Sequence, residues 1–222
     1  MSTIAEVAEA GRVLSRLGLV TAYGHVSARI GNRMAITPGT DLAEVDPADI
    51  VDVPLDGTAL PADAPGEAWA HLRVYAVRPD VSAIARAQPP PAFAVASLVT
   101  ELPVLHGQAA WLGRAVPVHR DARLLRSAEL AGAAAARLGS ADALLLRGNG
   151  ALSCGSTPGE AVARMWLLAT ACTVWLAATA SGTPCPLDDA EIESWRTVHS
   201  GLLPRLWRHL LTNPGGQSYD RP

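Results

Sequence analysis

Lysine is absent: all 18 basic side chains of this 222-residue chain are arginines. Without a lysine amine the chain cannot form a Schiff base with a carbonyl substrate, hold pyridoxal phosphate covalently, or build a Walker A nucleotide site. Cysteine is scarce. Cys154, Cys172 and Cys185 are odd in number and include no close pair, which excludes a disulfide framework and points to a reducing, cytoplasmic setting. A net charge of −3 leaves no excess of positive charge for a nucleic-acid surface. The N-terminus lacks the uninterrupted apolar run of a signal peptide, since Glu6, Glu9 and Arg12 break it. The uncharged stretch from Met165 to Ala180 falls short of the roughly 20 apolar residues that span a bilayer. It is expected to be a buried helix, with no membrane partner.

What is present suffices for a globular core: 49% of the residues are hydrophobic. No linker or repeat divides the chain, so one domain is expected over residues 1–212, followed by a loose Pro/Gly-rich tail at 213–222. Apolar spacing predicts a helix over 3–17, opened by a Thr3/Glu6 capping box. Strands at 25–30 and 33–37 flank the two-residue turn Gly31-Asn32, and Ile50 to Leu55 forms another strand. A helix over 66–77 leads into a buried strand from Val81 to Gln88, and Pro89-Pro90-Pro91 opens the next helix. Val116 to Val118 reads as a strand, and Ser127 caps a helix ending at Leu138. Strands from Ala143 to Arg147 and from Ala151 to Cys154 enclose the turn Gly148-Asn149-Gly150. Thr157-Pro158 starts a long apolar helix, and Asp188 a last one interrupted at Pro204. The pattern gives an α/β fold, a three-layer sandwich around a mixed sheet.

Generic chemical motifs are missing. Gly148-x-Gly150 lacks the third glycine of a dinucleotide fingerprint, and residues 151–155 miss the first glycine of a nucleophile elbow. No histidine pair has zincin spacing. Taken in order, however, five segments resemble the class II aldolase/adducin family of fuculose-phosphate aldolase-like proteins. They are Gly24-His25-Val26-Ser27-Ala28-Arg29; Ile36-Thr37-Pro38-Gly39-Thr40; Asp49-Ile50-Val51 with Leu55-Asp56-Gly57; Pro65-Gly66-Glu67 with His71, Tyr75 and Arg78-Pro79-Asp80-Val81; and Leu144-Leu145-Leu146-Arg147-Gly148-Asn149-Gly150. The resemblance implies an α/β/α sandwich whose central sheet is mixed and largely antiparallel. It also implies a homotetramer with active sites between subunits, and a divalent metal held by three histidines.

The chain departs from that pattern at the metal. The family's His-x-His step reads Arg86-Ala87-Gln88, and its Asn-His-Gly turn reads Gly148-Asn149-Gly150. Arginine has no free lone pair for a metal, and amide oxygens are poor zinc ligands. No metal and no other cofactor is therefore expected at that position. The resemblance also implies a phosphate pocket built on a glycine-asparagine step and a serine pair. Here these are Gly24-His25 and Pro65-Gly66; the loss of the asparagine and serine donors argues against a sugar phosphate without excluding one, since backbone N–H groups remain.

Glu67 stands where the family places its acid/base. On position alone it reads rather as a surface glutamate complementing a helix N-terminus, and the resemblance turns the reading toward a site role. Arg86 is either the cation that replaces the metal and holds an oxyanion, or half of a salt bridge with Glu67 filling an abandoned site. His25, Thr37, His71, Gln88 and Asn149 are taken as substrate-binding. His71 lies one helical turn from Glu67. His106 and His119 are candidates, with His25 and His71, for a relocated metal site. Trp69 and Trp111 line a pocket or pack in the core. Tyr219 falls where family aldolases carry a mobile tyrosine. The reading is a metal-independent lyase or isomerase acting by acid/base chemistry on a small carbonyl or carboxylate compound. Decarboxylation, dehydration, retro-aldol cleavage and cyclisation all fit. The alternative is a non-catalytic binding or assembly protein on the adducin-type fold.

Overall fold

The computed structural model describes residues 2–212. Met1 and the tail with Tyr219 lie outside the described residues. Among the described residues eight strands form one sheet: β1 (His25–Ile30), β2 (Arg33–Ile36), β3 (Val51–Pro54), β4 (Ala83–Ala87), β5 (Glu101–Pro103), β6 (Ala115–His119), β7 (Ala143–Leu146) and β8 (Gly150–Gly155). The spatial order is β3-β2-β1-β4-β8-β7-β6-β5. Only β6 and β7 run parallel; the other neighbours are antiparallel, as expected for a mixed, largely antiparallel sheet.

Among the described residues seven helices complete the sandwich: α1 (Thr3–Arg16), α2 (Ala68–Val77), α3 (Pro90–Leu98), α4 (Ala128–Leu138), α5 (Pro158–Ser181), α6 (Asp189–Arg196) and α7 (His199–Thr212). Side-chain alternation divides the strands between two cores. Val26, Ala85, Leu145 and Ala151 face α1, α3, α5 and α7, which contribute Leu14, Val95, Leu168 and Leu203. Met34, Ile84, Leu144 and Leu152 face α2 and α4, which contribute Leu72, Tyr75, Ala131 and Leu138. His25, Ser27 and Arg86 occupy the alternate positions of β1 and β4, so the same two-residue period carries them to the α2 face.

Several expectations change in detail. Ser2, not Thr3, caps α1, its hydroxyl accepting from the Ala5 N–H. The edge strand β5 carries no alternation long enough to read, and the 3-10 turns at 42–44, 47–49 and 107–112 are not among the expected elements, although Asp41 caps the first and Asp46 with Pro47 opens the second. The final helix breaks at Thr197 and Val198 rather than at Pro204, which lies within α7. A proline there removes one backbone donor. The burial of Leu203 and Leu210 holds the helix together across it.

The apolar helix α5 is longer than the uncharged stretch suggests, at 24 residues. By length and composition it is long and apolar enough to cross a membrane. Here Val162, Met165 and Leu168 are instead buried in the core on that side of the sheet. Buried Arg164 donates to the carbonyls of Trp111 and Cys154 and pairs with Asp142 at 3.5 Å. The hydroxyls of Thr170, Thr173 and Thr179 return to carbonyls one turn back, which satisfies them within the helix.

Candidate active site

A cavity of about 510 Å³ opens where the end of β4 meets the start of α2. Its polar lining is His25, Thr40, Glu67, Arg86, Gln88, Arg126 and Asn149, and its apolar lining includes Ala22, Pro65 and Leu124. Backbone register builds the floor. His25 of β1 lies directly opposite Arg86 of β4, which in turn lies opposite Leu152 of β8. Adjacent antiparallel partners stand about 5 Å apart, so His25 and Arg86 emerge side by side on the α2 face.

The turn of residues 147–149 brings Asn149 over this floor. It depends on Gly150, whose φ is +85° and whose missing Cβ would overlap the Ala87 carbonyl oxygen. Any other residue there would push the turn off the end of β4. At this approach the Arg86 guanidinium donates to Asn149 Oδ1 and, at 3.3 Å, to the Asn149 carbonyl. Gln88 Nε2 reaches the same Oδ1 at 3.5 Å. The side-chain amide nitrogen of Asn149 is buried and has no partner among the described residues, leaving an uncommitted donor beside the guanidinium.

Glu67 sits at the N-cap of α2 but makes no side-chain cap. Its carboxylate is largely buried and accepts from Arg126 Nε at 3.2 Å, while the Arg126 side chain is mostly exposed. Thus Glu67 and Arg86 share one cavity, yet they are not salt-bridged to each other. Each has another partner: Arg126 for the carboxylate, Asn149 for the guanidinium. Sequence reasoning misses Arg126. It comes from the loop before α4, outside every segment carrying the resemblance, and no local pattern marks it. Its side chain fills space above Gly66, where a Cβ would come within 3.2 Å of it.

Burial lowers the Arg86 pKa, Glu67 opposes that shift, and Arg126 adds to it. His25 is pushed down to about 4, chiefly by burial, then by Arg86, with Glu67 acting in the opposite sense. Its ring is therefore neutral at pH 7.

Not every expected residue reaches the cavity. Thr37 is fully buried, and its hydroxyl accepts from the Val26 N–H at 3.1 Å, so it fixes β1 rather than touching a ligand. His71 is fully buried behind His25, its Nδ1 2.8 Å from Ser27 Oγ. Neither His106, which precedes the 3-10 turn at 107–112, nor His119, at the end of β6, lines the cavity. Trp111 packs in the core and donates to the Trp195 carbonyl, and Trp69 stacks on the Arg73 guanidinium in a separate depression.

The donor set does not suit the metal that the resemblance implies. At the three positions where the resemblance implies imidazoles stand a guanidinium and two amides, Arg86, Gln88 and Asn149. The guanidinium already occupies the Asn149 oxygen. A permanent cation in contact with that oxygen opposes a dication, and amide oxygens do not replace imidazoles for zinc. These residues do not fit a zinc ion. Among the described residues no three His, Cys, Asp or Glu side chains come together elsewhere in a metal-binding group.

The chain is similar to known proteins over most of its length. A 3,4-dihydroxyphthalate decarboxylase of Rhodococcus jostii (strain RHA1) is 30% identical over 223 residues, covering 91% of this chain and 92% of the relative. Among solved structures, an L-fuculose 1-phosphate aldolase superimposes with a TM-score of 0.82 at 28% identity, covering 89% of this chain and 96% of that one. The L-fuculose-1-phosphate aldolase of Thermus thermophilus gives 0.71 at 28% identity, over 78% and 93%. Residues 5–176 match the class II aldolase and adducin N-terminal domain, and with the eight-stranded sandwich and the cavity at the β4–α2 junction the chain belongs to that family.

Proposed function

We propose that this chain is a lyase that removes carbon dioxide from a small carboxylate and does so without a bound metal. The observation that carries the reading is the buried Arg86 guanidinium, set on Asn149 where the resemblance requires a metal-bound imidazole, in one cavity with Glu67. A fixed cation in a site shielded from water stabilises developing negative charge much as a metal would. The 30% identity to a decarboxylase, over nearly the full length of both chains, supports this choice among the family's reactions.

The chemistry assigns the groups. Carbon dioxide is neutral, so a guanidinium gripping the departing carboxylate would oppose its loss. Arg86 and the free amide of Asn149 therefore serve the oxygen that keeps the charge, and the leaving carboxylate lies against Ala22, Pro65 and Leu124. Glu67 takes the proton of a hydroxyl beside the carboxylated carbon and returns it to that carbon. The bond to the carboxylate then breaks and carbon dioxide departs. The bonding pair remains on the fragment as an oxyanion held by Arg86, and solvent supplies the last proton. Self-association as a homotetramer is part of the proposal: Tyr23 and Leu124 stand exposed at the cavity mouth, where a second copy would cover them.

The 28% identity to L-fuculose 1-phosphate aldolases favours a second reading, retro-aldol cleavage, which also ends in an oxyanion. One panel separates the two. Purified protein is incubated with 3,4-dihydroxyphthalate, other hydroxy-substituted aromatic carboxylates, and L-fuculose 1-phosphate. Carbon dioxide release from the carboxylates with the sugar phosphate left intact is expected. Cleavage of the sugar phosphate alone would replace this reading with the aldolase one.

A further inference from the structure

Behind the cavity lies a buried polar chain that the proposed reaction leaves unexplained. Glu67, His71 and Tyr75 follow one another at four-residue steps along the α2 face turned to the sheet. Ser27, next along the same face of β1 after His25, receives them: its Oγ lies 2.8 Å from His71 Nδ1 and 2.8 Å from Tyr75 OH. The His25 and His71 rings meet edge to face, with centroids 6.1 Å apart. Two nitrogens there are sealed and without a partner among the described residues, His71 Nε2 and His25 Nδ1.

Proton counting fixes the direction of the chain. Tyr75 is buried, and burial holds its pKa far above the usual range, so the phenol keeps its hydrogen. Ser27 is the partner of that phenol, which therefore donates to Ser27 Oγ. The reverse orientation would orphan a buried hydroxyl hydrogen, at a cost of about 1–3 kcal/mol. Ser27 then gives its own hydrogen to His71 Nδ1, and the neutral His71 ring carries its hydrogen on Nε2. The two rings lie edge to face, and a ring rotation or one bridging water would let this sealed donor reach the sealed His25 Nδ1. With Nδ1 accepting, the His25 hydrogen sits on Nε2, the ring nitrogen left for the cavity that His25 lines.

We propose that His25 is a hydrogen-bond donor of the site. Its Nε2–H is presented to the substrate's developing oxyanion beside Arg86, and the buried relay Tyr75–Ser27–His71 sets its tautomer. The proposal rests on the lyase reading above and deepens it. His25 touches the substrate; His71, Ser27 and Tyr75 are positioning residues. A neutral imidazole here polarises an oxygen without surrendering a proton to it, leaving proton movement to Glu67.

The test is nitrogen-15 NMR of the whole protein, with histidine signals assigned through His25→Gln and His71→Gln. No substrate is needed, so a failed turnover panel would leave this result standing on its own. In the unsubstituted protein at pH 7, both rings are expected to carry hydrogen on Nε2, with the His25 proton exchanging with water faster than that of His71. Ser27→Ala removes the donor to His71 and is expected to turn both signals into tautomer mixtures. Tyr75→Phe, which removes one oxygen and little volume, is expected to give the same loss should Ser27→Ala fail to fold. Hydrogen on His25 Nδ1 in the unsubstituted protein, a protected His25 proton, or a pattern unmoved in the folded variant would overturn the proposal.

Discussion

Glu67→Gln is expected to lower kcat by about 10²- to 10⁴-fold, the usual worth of a positioned acid/base. The amide keeps the shape of the carboxylate and still accepts from Arg126, but it cannot take the hydroxyl proton. The proton must then come from water, and the step that delivers it to carbon loses its carrier. KM should change little, because Glu67 acts on the hydroxyl proton during the reaction rather than on the charge of the bound substrate. The fold should hardly notice. The ion pair removed involves Arg126, whose side chain is 60% exposed, and such pairs contribute about 0–1 kcal/mol. Turnover and melting temperature measured on one preparation check this. A lowered melting temperature with undiminished turnover per folded molecule would make Glu67 a structural partner of Arg126.

Arg86→Lys is the second large effect. The ammonium keeps a positive charge, but it cannot span Asn149 Oδ1, the Asn149 carbonyl and a substrate oxygen as the planar fork does. A loss of about 10²- to 10³-fold in kcat is expected, the scale of removing one oxyanion donor. The Asn149 oxygen also loses a partner in a buried place, so some destabilisation accompanies it. The discriminating signal is the ratio of the two effects. Loss of kcat far beyond the loss of folded protein, read by circular dichroism and steady-state kinetics, assigns Arg86 to the reaction. Proportional losses would assign it to packing.

These residues also show what a sequence discloses and what it withholds. The strand pairs flanking Gly31-Asn32 and Gly148-Asn149-Gly150, the α4 cap at Ser127 and the α5 start at Thr157-Pro158 are local signals, and the structure keeps them. β5 is three residues long, too short for alternation to register. The break between α6 and α7 falls at Thr197 and Val198, while Pro204 lies inside α7. At the site, Glu67 lies in a matching segment and Arg86 stands where the resemblance implies a metal ligand, and the two line one cavity. Their partners were not legible. That Arg86 would bind Asn149 instead of Glu67 follows from the approach of the Gly150 turn to β4, a contact between residues 63 positions apart. Arg126 enters from a loop with several arginines, and nothing in its neighbours distinguishes it. Thr37 and His71 sat in matching motifs, yet strand and helix periodicity turned them inward, one to brace β1 and the other to back His25.

The central claim is that a guanidinium does here what the family's metal does elsewhere. Carbon dioxide release from whichever carboxylate of the panel the purified protein turns over, measured before and after chelator dialysis with elemental analysis of the same samples, tests it most directly. The account expects no stoichiometric metal in either sample and the same turnover in both. About one tightly bound metal per chain, with turnover lost on dialysis and restored by that metal, would contradict it.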